Sequence, residues 1–245
     1  MLTYNEGKLT KASYLDKING SPTYSYTYNK LGQRVKKTYT FLPGRQNLTS
    51  YTTSSTNEYT YKDGKLVKEK INVKYNNEAD TNIEIEYIYI NHELVGLVIK
   101  ENNVVSNYVY EKNVLGDIVR IYNTAGTVVA EYEYDAWGNH IININVNSVA
   151  SLNPFRYRGY YYDVETQLYW VSSRYYSPEL CRWISPDSIE YLDPESINGL
   201  NLYAYCGNDP INKYNPTCHF PWLVLAAFVF VGITRAAAND KGQYQ

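Results

Sequence analysis

Alternation of apolar rings and polar residues, broken by short polar turns, runs through the first 150 residues. Tyr26-Thr27-Tyr28-Asn29-Lys30-Leu31-Gly32-Gln33-Arg34-Val35 states the theme, and Tyr59-Thr60-Tyr61-Lys62-Asp63-Gly64-Lys65-Leu66-Val67 repeats it. It returns in Tyr108-Val109-Tyr110 leading to Leu115-Gly116-Asp117-Ile118-Val119, and in Tyr132-Glu133-Tyr134-Asp135-Ala136-Trp137-Gly138-Asn139. A period of two puts both rings of Tyr-x-Tyr on one face of a strand. The Asp or Asn that follows starts a turn by bonding its own backbone, and Gly takes the positive φ that other residues resist. Each unit is thus a hairpin that cannot bury its ring face alone, which makes stacking obligatory.

Two segments break the rhythm. Residues 47–57, rich in Ser and Thr, read as a long exposed loop. Residues 143–151 read as a connection, with one more strand as the alternative.

From Asn153 the pattern tightens into Asn153-Pro154-Phe155-Arg156-Tyr157-Arg158-Gly159-Tyr160-Tyr161-Tyr162-Asp163 and Leu168-Tyr169-Trp170-Val171-Ser172-Ser173-Arg174-Tyr175-Tyr176-Ser177-Pro178. Arg182-Trp183-Ile184-Ser185-Pro186-Asp187 follows, then Gly199-Leu200-Asn201-Leu202-Tyr203-Ala204-Tyr205-Cys206-Gly207-Asn208-Asp209-Pro210 and Asn215-Pro216-Thr217. Tyrosines among Gly, Asn-Asp-Pro and Ser-Pro turns predict a compact run of short strands. That order of phrases resembles the core domain associated with Rhs (YD-repeat) proteins, and Tyr134-Asp135-Ala136-Trp137-Gly138 upstream is the fullest copy of the family's Tyr-Asp-x-x-Gly pattern.

The resemblance implies an all-β fold: a curling antiparallel sheet of YD-type hairpin repeats (1–150), an Rhs repeat-associated core domain (151–219), and an apolar carboxyl-terminal segment (220–245) forming a short helix. It marks Arg156, Arg158, Gly159, Tyr160, Asp163, Arg174, Tyr175, Arg182, Asn201, Tyr203, Tyr205, Asn208 and Pro210 as the structural core motif. The four arginines are expected on Tyr faces, bonded to strand-end carbonyls and to Asp163 or Asp187. The implied role is a non-enzymatic scaffold, part of a shell that encloses or presents a toxin domain. Its expected partners are further shell repeats or a toxin cargo, with an immunity protein, a glycan and a membrane as further candidates. Its expected place is secreted or at the cell surface of a bacterial delivery system. A surface module that binds glycan or protein through exposed Tyr is the alternative.

Composition sharpens this picture. Tyr numbers 29 against 5 Phe, 4 Trp and 1 Met, so much of the apolar area carries a hydroxyl and suits a sheet with one solvated face. A formal charge of −2 without long runs of one sign gives no nucleic-acid footprint. Three cysteines make no disulfide framework. Residues 1–8 are polar and lack a charged-then-apolar leader. The apolar run Phe220–Ile233 is shorter than the ~20 residues a membrane-spanning helix needs.

Self-cleavage is the sharpest chemistry the resemblance offers. In Rhs-type toxins an aspartate in an early Pro-Asp phrase and one in a closing Asp-Pro-x-Gly phrase form an aspartyl protease, and such a pair works by sharing a proton. Asp187 stands in the first position. The second is Asn215, with Cys218 where glycine belongs, and an amide cannot titrate, so the dyad is incomplete. Asp193 and Asp209 are nearby acids with sufficient turn roles. Cys181, Cys206, Cys218 and His219 form a Cys3His set on paper but lack a short paired knuckle, so semi-buried thiols are expected and no metal. His92 and His140 read as exposed strand or turn residues. No motif for a cofactor occurs.

Overall fold

In the computed structural model, residues 1–5, 8–14, 20–43, 51–172, 174–187, 200–214 and 222–223 are described. Twelve strands in chain order make one antiparallel sheet, each hydrogen-bonded to the next. They are β1 (Leu2–Asn5), β2 (Lys8–Ser13), β3 (Ser21–Tyr28), β4 (Arg34–Leu42), β5 (Thr52–Lys62) and β6 (Lys65–Tyr75), then β7 (Thr81–Ile90), β8 (Glu93–Glu101), β9 (Val104–Lys112), β10 (Ile118–Asn123), β11 (Val128–Tyr134) and β12 (His140–Asn145). A 3-10 turn at Val146–Ser148 and the one-turn helix α1 (Val149–Leu152) lead into a second sheet. Its strands are β13 (Tyr161–Asp163), β14 (Leu168–Val171), β15 (Arg174–Ser177) and β16 (Arg182–Trp183).

The turns follow from the residues that make them. At Asn29, Asn113, Asn123 and Asp135 the side-chain oxygen accepts the backbone N–H groups two and four residues on, at 2.9–3.0 Å. The glycine three residues on, Gly32, Gly116, Gly126 or Gly138, has φ between 78° and 90° and bonds back to the first residue. Other hairpins use two residues with positive φ: Asp63-Gly64, Asn91-His92 and Asn102-Asn103. That is the type I′ geometry, whose twist matches the strands it joins.

Bulges give the sheet its curl. The pairing slips at Thr27/Tyr28, Thr60/Tyr61 and Ile88/Tyr89, where β4, β6 and β8 each contribute an extra residue, Val35, Val67 and Val95. An extra residue bends its strand and raises the local twist, so repetition at one end of successive hairpins bends the whole wall one way. The second ring of four Tyr-x-Tyr pairs also fastens this end: Tyr28, Tyr61, Tyr89 and Tyr134 donate to the carbonyls of Leu9, Arg34, Leu66 and Ile118 at 2.8–3.0 Å.

The first ring turns deeper. Tyr26, Tyr59, Tyr87 and Tyr132 are 5%, 6%, 3% and 2% exposed, and they join Leu9, Ile85, Leu97 and Ile121 of the wall with Phe155, Tyr161, Leu168, Trp170 and Tyr175 in one apolar cluster. The wall therefore curls around the small inner sheet. Every residue of β14 and β15 is buried, because the inner sheet's other face packs into a second cluster of Tyr157, Tyr160, Tyr169, Val171, Tyr176, Trp183, Tyr205 and Cys206.

Two expectations change, and one divides between its alternatives. Most of the expected Ser/Thr loop is strand: β5 starts at Thr52, and its Ser54–Glu58 pairs with β4 and β6, since β-branched Thr fits a half-buried pleat. The stretch 143–151 contributes to both readings, strand up to Asn145 and connection beyond it. At the carboxyl end, Trp222–Leu223 is extended and pairs with Lys213–Tyr214. The rest of the segment expected to form a helix lies outside the described residues.

Candidate functional site: the seam between wall and inner sheet

Arg34 opens β4 directly after the Asn29–Gln33 turn, which aims its side chain inward. It is fully buried, with Nη1 2.5 Å from Asp163 Oδ2, and Asp163 is fully buried too. Four rings surround the guanidinium: Trp170 at 4.4 Å, Tyr161 at 4.8 Å, Tyr59 at 4.9 Å and Tyr26 at 5.4 Å. Their faces are electron-rich and stabilise a cation that has left water. Lys37, three residues further along β4 and past the extra residue Val35, reaches Glu165 at 3.2 Å and Asp163 at 3.7 Å, and Tyr26 donates to Glu165 at 2.9 Å. Two cations from the wall thus meet two carboxylates from the β13–β14 turn. Burial acts to raise the Glu165 carboxyl, but Lys37 together with its hydrogen bonds holds it below its ordinary value. Burial pushes Asp163 up, against Arg34.

A second buried carboxylate, Glu69 on β6, accepts from Asn57 Nδ2 at 2.6 Å, Tyr87 at 2.9 Å and Tyr161 at 3.1 Å. Tyr161 comes from the inner sheet, so this contact also ties wall to core. Further along, Asn153 accepts from Tyr110 at 2.7 Å and donates to Tyr132 at 3.2 Å.

The core-motif residues fall into place around these. Arg156 lies over Tyr162 at 4.7 Å and Tyr132 at 5.5 Å and donates to Ala150 O and to His140 Nε2. Arg158, with φ 54°, presents its backbone N–H to Asp117 Oδ1 at 2.7 Å and its guanidinium to Pro210 O at 2.6 Å. Gly159 (φ 68°) completes that turn, and Tyr160 O accepts from Arg156 N. Arg174 pairs with Asp187 at 2.8 Å over the Trp183 ring at 4.1 Å, and Arg182 lies over Tyr203 at 4.5 Å. Tyr175 shares a 2.9 Å hydrogen bond with Tyr28. Asn201 turns the chain by accepting Tyr203 N at 3.1 Å, Tyr205 lies tilted against Tyr176 with ring centroids 4.1 Å apart, and Asn208 (φ 64°) donates its N–H to Tyr205 O.

The arginine expectation is thus met for Arg174 with Asp187 and on the ring faces. Asp163 is a correction: its partner is Arg34, 129 positions away in the chain, because the inner hairpin projects that carboxylate through the wall's ring layer. His140 is the other correction. It is half-buried among Tyr132, Tyr134, Tyr162 and Tyr169, since its alternation on β12 faces it inward. His92 does sit exposed in a turn.

Chemistry of the proteolytic kind has one described member, Asp187, held by Arg174. Asn215, Asp193, Cys218 and His219 lie outside the described residues. Burial pushes the Cys206 thiol up to about 11, which keeps it protonated at neutral pH. A cleft of about 600 Å³ opens at the hairpin-turn end between Tyr61 and Tyr89 of the wall and Trp170 of the inner sheet, with Lys8, Lys30 and Arg158 on its rim. No carboxylate, thiol or imidazole lines it among the described residues.

Comparison with known proteins agrees with this geometry. The tRNA nuclease WapA of Bacillus subtilis (strain 168) is 33% identical over 206 residues, 84% of this chain. The teneurin YD-shell family profile matches residues 112–211, which run from the last wall hairpins through the inner sheet. The chain belongs to the Rhs/YD-repeat proteins. The TcdB2–TccC3–Cdc42 crystal structure shares the fold of this YD-repeat chain with a TM-score of 0.72 over 92% of it, at 22% identity. Salivary gland surface protein 1 of Aedes aegypti is 28% identical over 174 residues, 69% of the chain. The YD-repeat chain spans about 8% of the length of WapA and 10% of the solved chain.

Proposed function

We propose that this Rhs/YD-repeat chain is a non-enzymatic length of shell wall whose inner sheet organises it to enclose or present a toxin or effector domain. The observation that carries this reading is the one-sided wall. Tyr26, Tyr59, Tyr87 and Tyr132 are buried against the inner sheet, while the outer face carries the ion-pair ladder of Lys68, Glu84, Glu86 and Lys100. Such a wall gains its stability inward and stays soluble outward. The relatives support a toxin setting, since WapA is named a tRNA nuclease and a Pseudomonas aeruginosa relative, 40% identical over 76 residues, is named Toxin protein Tse5. On this reading the partners are further repeats of a shell, a cargo domain and an immunity protein, and the setting is secretion or the cell surface. Among the described residues no helix is long and apolar enough to cross a membrane.

A nuclease domain fused behind Gln245 tests the scaffold role by its protease resistance. Slower digestion than that of the free nuclease is expected, and equal digestion would contradict the reading. Adhesion through exposed Tyr loses weight because the paired rings face inward. Autoproteolysis is answered by intact mass: a single 28.3 kDa species is expected, against fragments of about 25 and 3 kDa at ~110 Da per residue if the chain cuts itself.

A further inference from the structure

We propose that His140 is an acid-sensitive lock that holds the last wall strand, β12, and the connection after it onto the inner sheet. The hydrogen bonds around its ring demand a neutral imidazole. Arg156 Nη1 donates to Nε2, so Nε2 carries no proton. On the other side Tyr169 gives its own hydrogen to Gly138 O at 2.8 Å, which leaves the Tyr169 oxygen, 3.3 Å from Nδ1, free to accept the ring's N–H. Tyr132 and Tyr134 of β11, Tyr162 of β13 and Tyr169 of β14 are the titratable rings facing the imidazole, and Arg156 is the charged group against it. Among the described residues none of these groups is a carboxylate that could welcome a second positive charge.

A proton at Nε2 turns the acceptor of Arg156 into a donor and sets two cations in contact within a ring of tyrosines. Arg156 is also what ties the connection down, through Ala150 O at 3.3 Å and Asn153 O at 3.4 Å. Displacing it therefore frees α1 as well as β12, which among the described residues has only β11 as a sheet neighbour. Burial, then the Arg156 charge, lower the His140 value from 6.5 to about 4. The sign follows: between these values the open state takes up a proton that the closed state refuses, so closure weakens as pH falls from about 6.5 toward 4. Closure regains its full strength above that window.

Amide hydrogen exchange on the whole chain, corrected for intrinsic rates, reads the lock directly. Protection of residues 140–145 should drop roughly ten- to a hundredfold between pH 7 and pH 4.5, while β6–β8 keep theirs. In His140→Gln, whose amide oxygen can still accept from Arg156 and does not titrate, the drop should vanish. Equal loss in both proteins would overturn the proposal. Should His140→Gln fail to fold, the wild-type imidazole NMR titration decides, assigned by His92→Gln and His219→Gln. Titration of His140 below pH 5 supports the lock, and titration near 6.5 overturns it.

Discussion

At the residue scale the account rests on charges that the rings enclose. Removing one partner of a buried ion pair strands the other, and that penalty exceeds what the pair itself contributes. Arg34→Met should therefore cost about 3 kcal/mol in urea unfolding, with Asp163 left to Lys37 3.7 Å away. A loss within ~0.5 kcal/mol, the scatter of ordinary surface changes, would mean that the guanidinium is not caged. The core-motif arginines could be placed on ring faces from sequence because Arg and Tyr alternate within a few residues. Arg34, Glu69, Glu165 and His140 could not. Their partners lie on other strands, and nothing local distinguishes Arg34 from a solvated charge after a turn. Glycine at 32 and Tyr26 and Tyr28 upstream, which set its inward aim, were the signal available.

At the element scale the repeated unit was legible almost in full. Period-two rings, an Asx residue and a glycine three places on specify a hairpin by local rules, and four turns obey them with the same set of hydrogen bonds. The bulges at Val35, Val67 and Val95 were not legible, because a slip in register depends on both strands at once. Two glycines separate local strain from packing. Gly126→Ala meets no atom within 4 Å at φ 78°, so it should cost about 1 kcal/mol of backbone strain. Gly138→Ala, at φ 90°, drives a Cβ to 2.7 Å from the Tyr157 ring, and with overpacking added should cost about 3 kcal/mol. Equal effects in thermal unfolding would mean that the Asp135 turn does not press on the inner sheet. The outer ladder behaves differently. Hydrogen bonds from Lys100, then Lys68, hold Glu86 down to about 2, a contribution present above about pH 4.5 and lost as pH falls. Exposure and salt screening limit it, so Lys100→Ala should lower the urea midpoint only slightly, and not measurably in 1 M salt.

At the scale of the molecule, wall and inner sheet share one core rather than touching across a surface. Tyr87 packs on Phe155 at 4.9 Å, Tyr59 on Tyr161 at 6.0 Å, and Tyr14 and Tyr26 both reach Glu165. The all-β class was legible from the repeats, and the curl only from the family resemblance. That the wall wraps the later strands, and thereby uses hydroxyls such as those of Tyr14, Tyr26, Tyr28 and Tyr110 as long-range ties, needed the third dimension. The central claim is that these parts stand or fall together. Hydrogen exchange in rising urea, read by mass on peptides from β5–β8 and from β13–β16, tests it most directly. The account predicts one shared midpoint and one slope, whereas an inner sheet that melts while the wall stays protected, or the reverse, would contradict it.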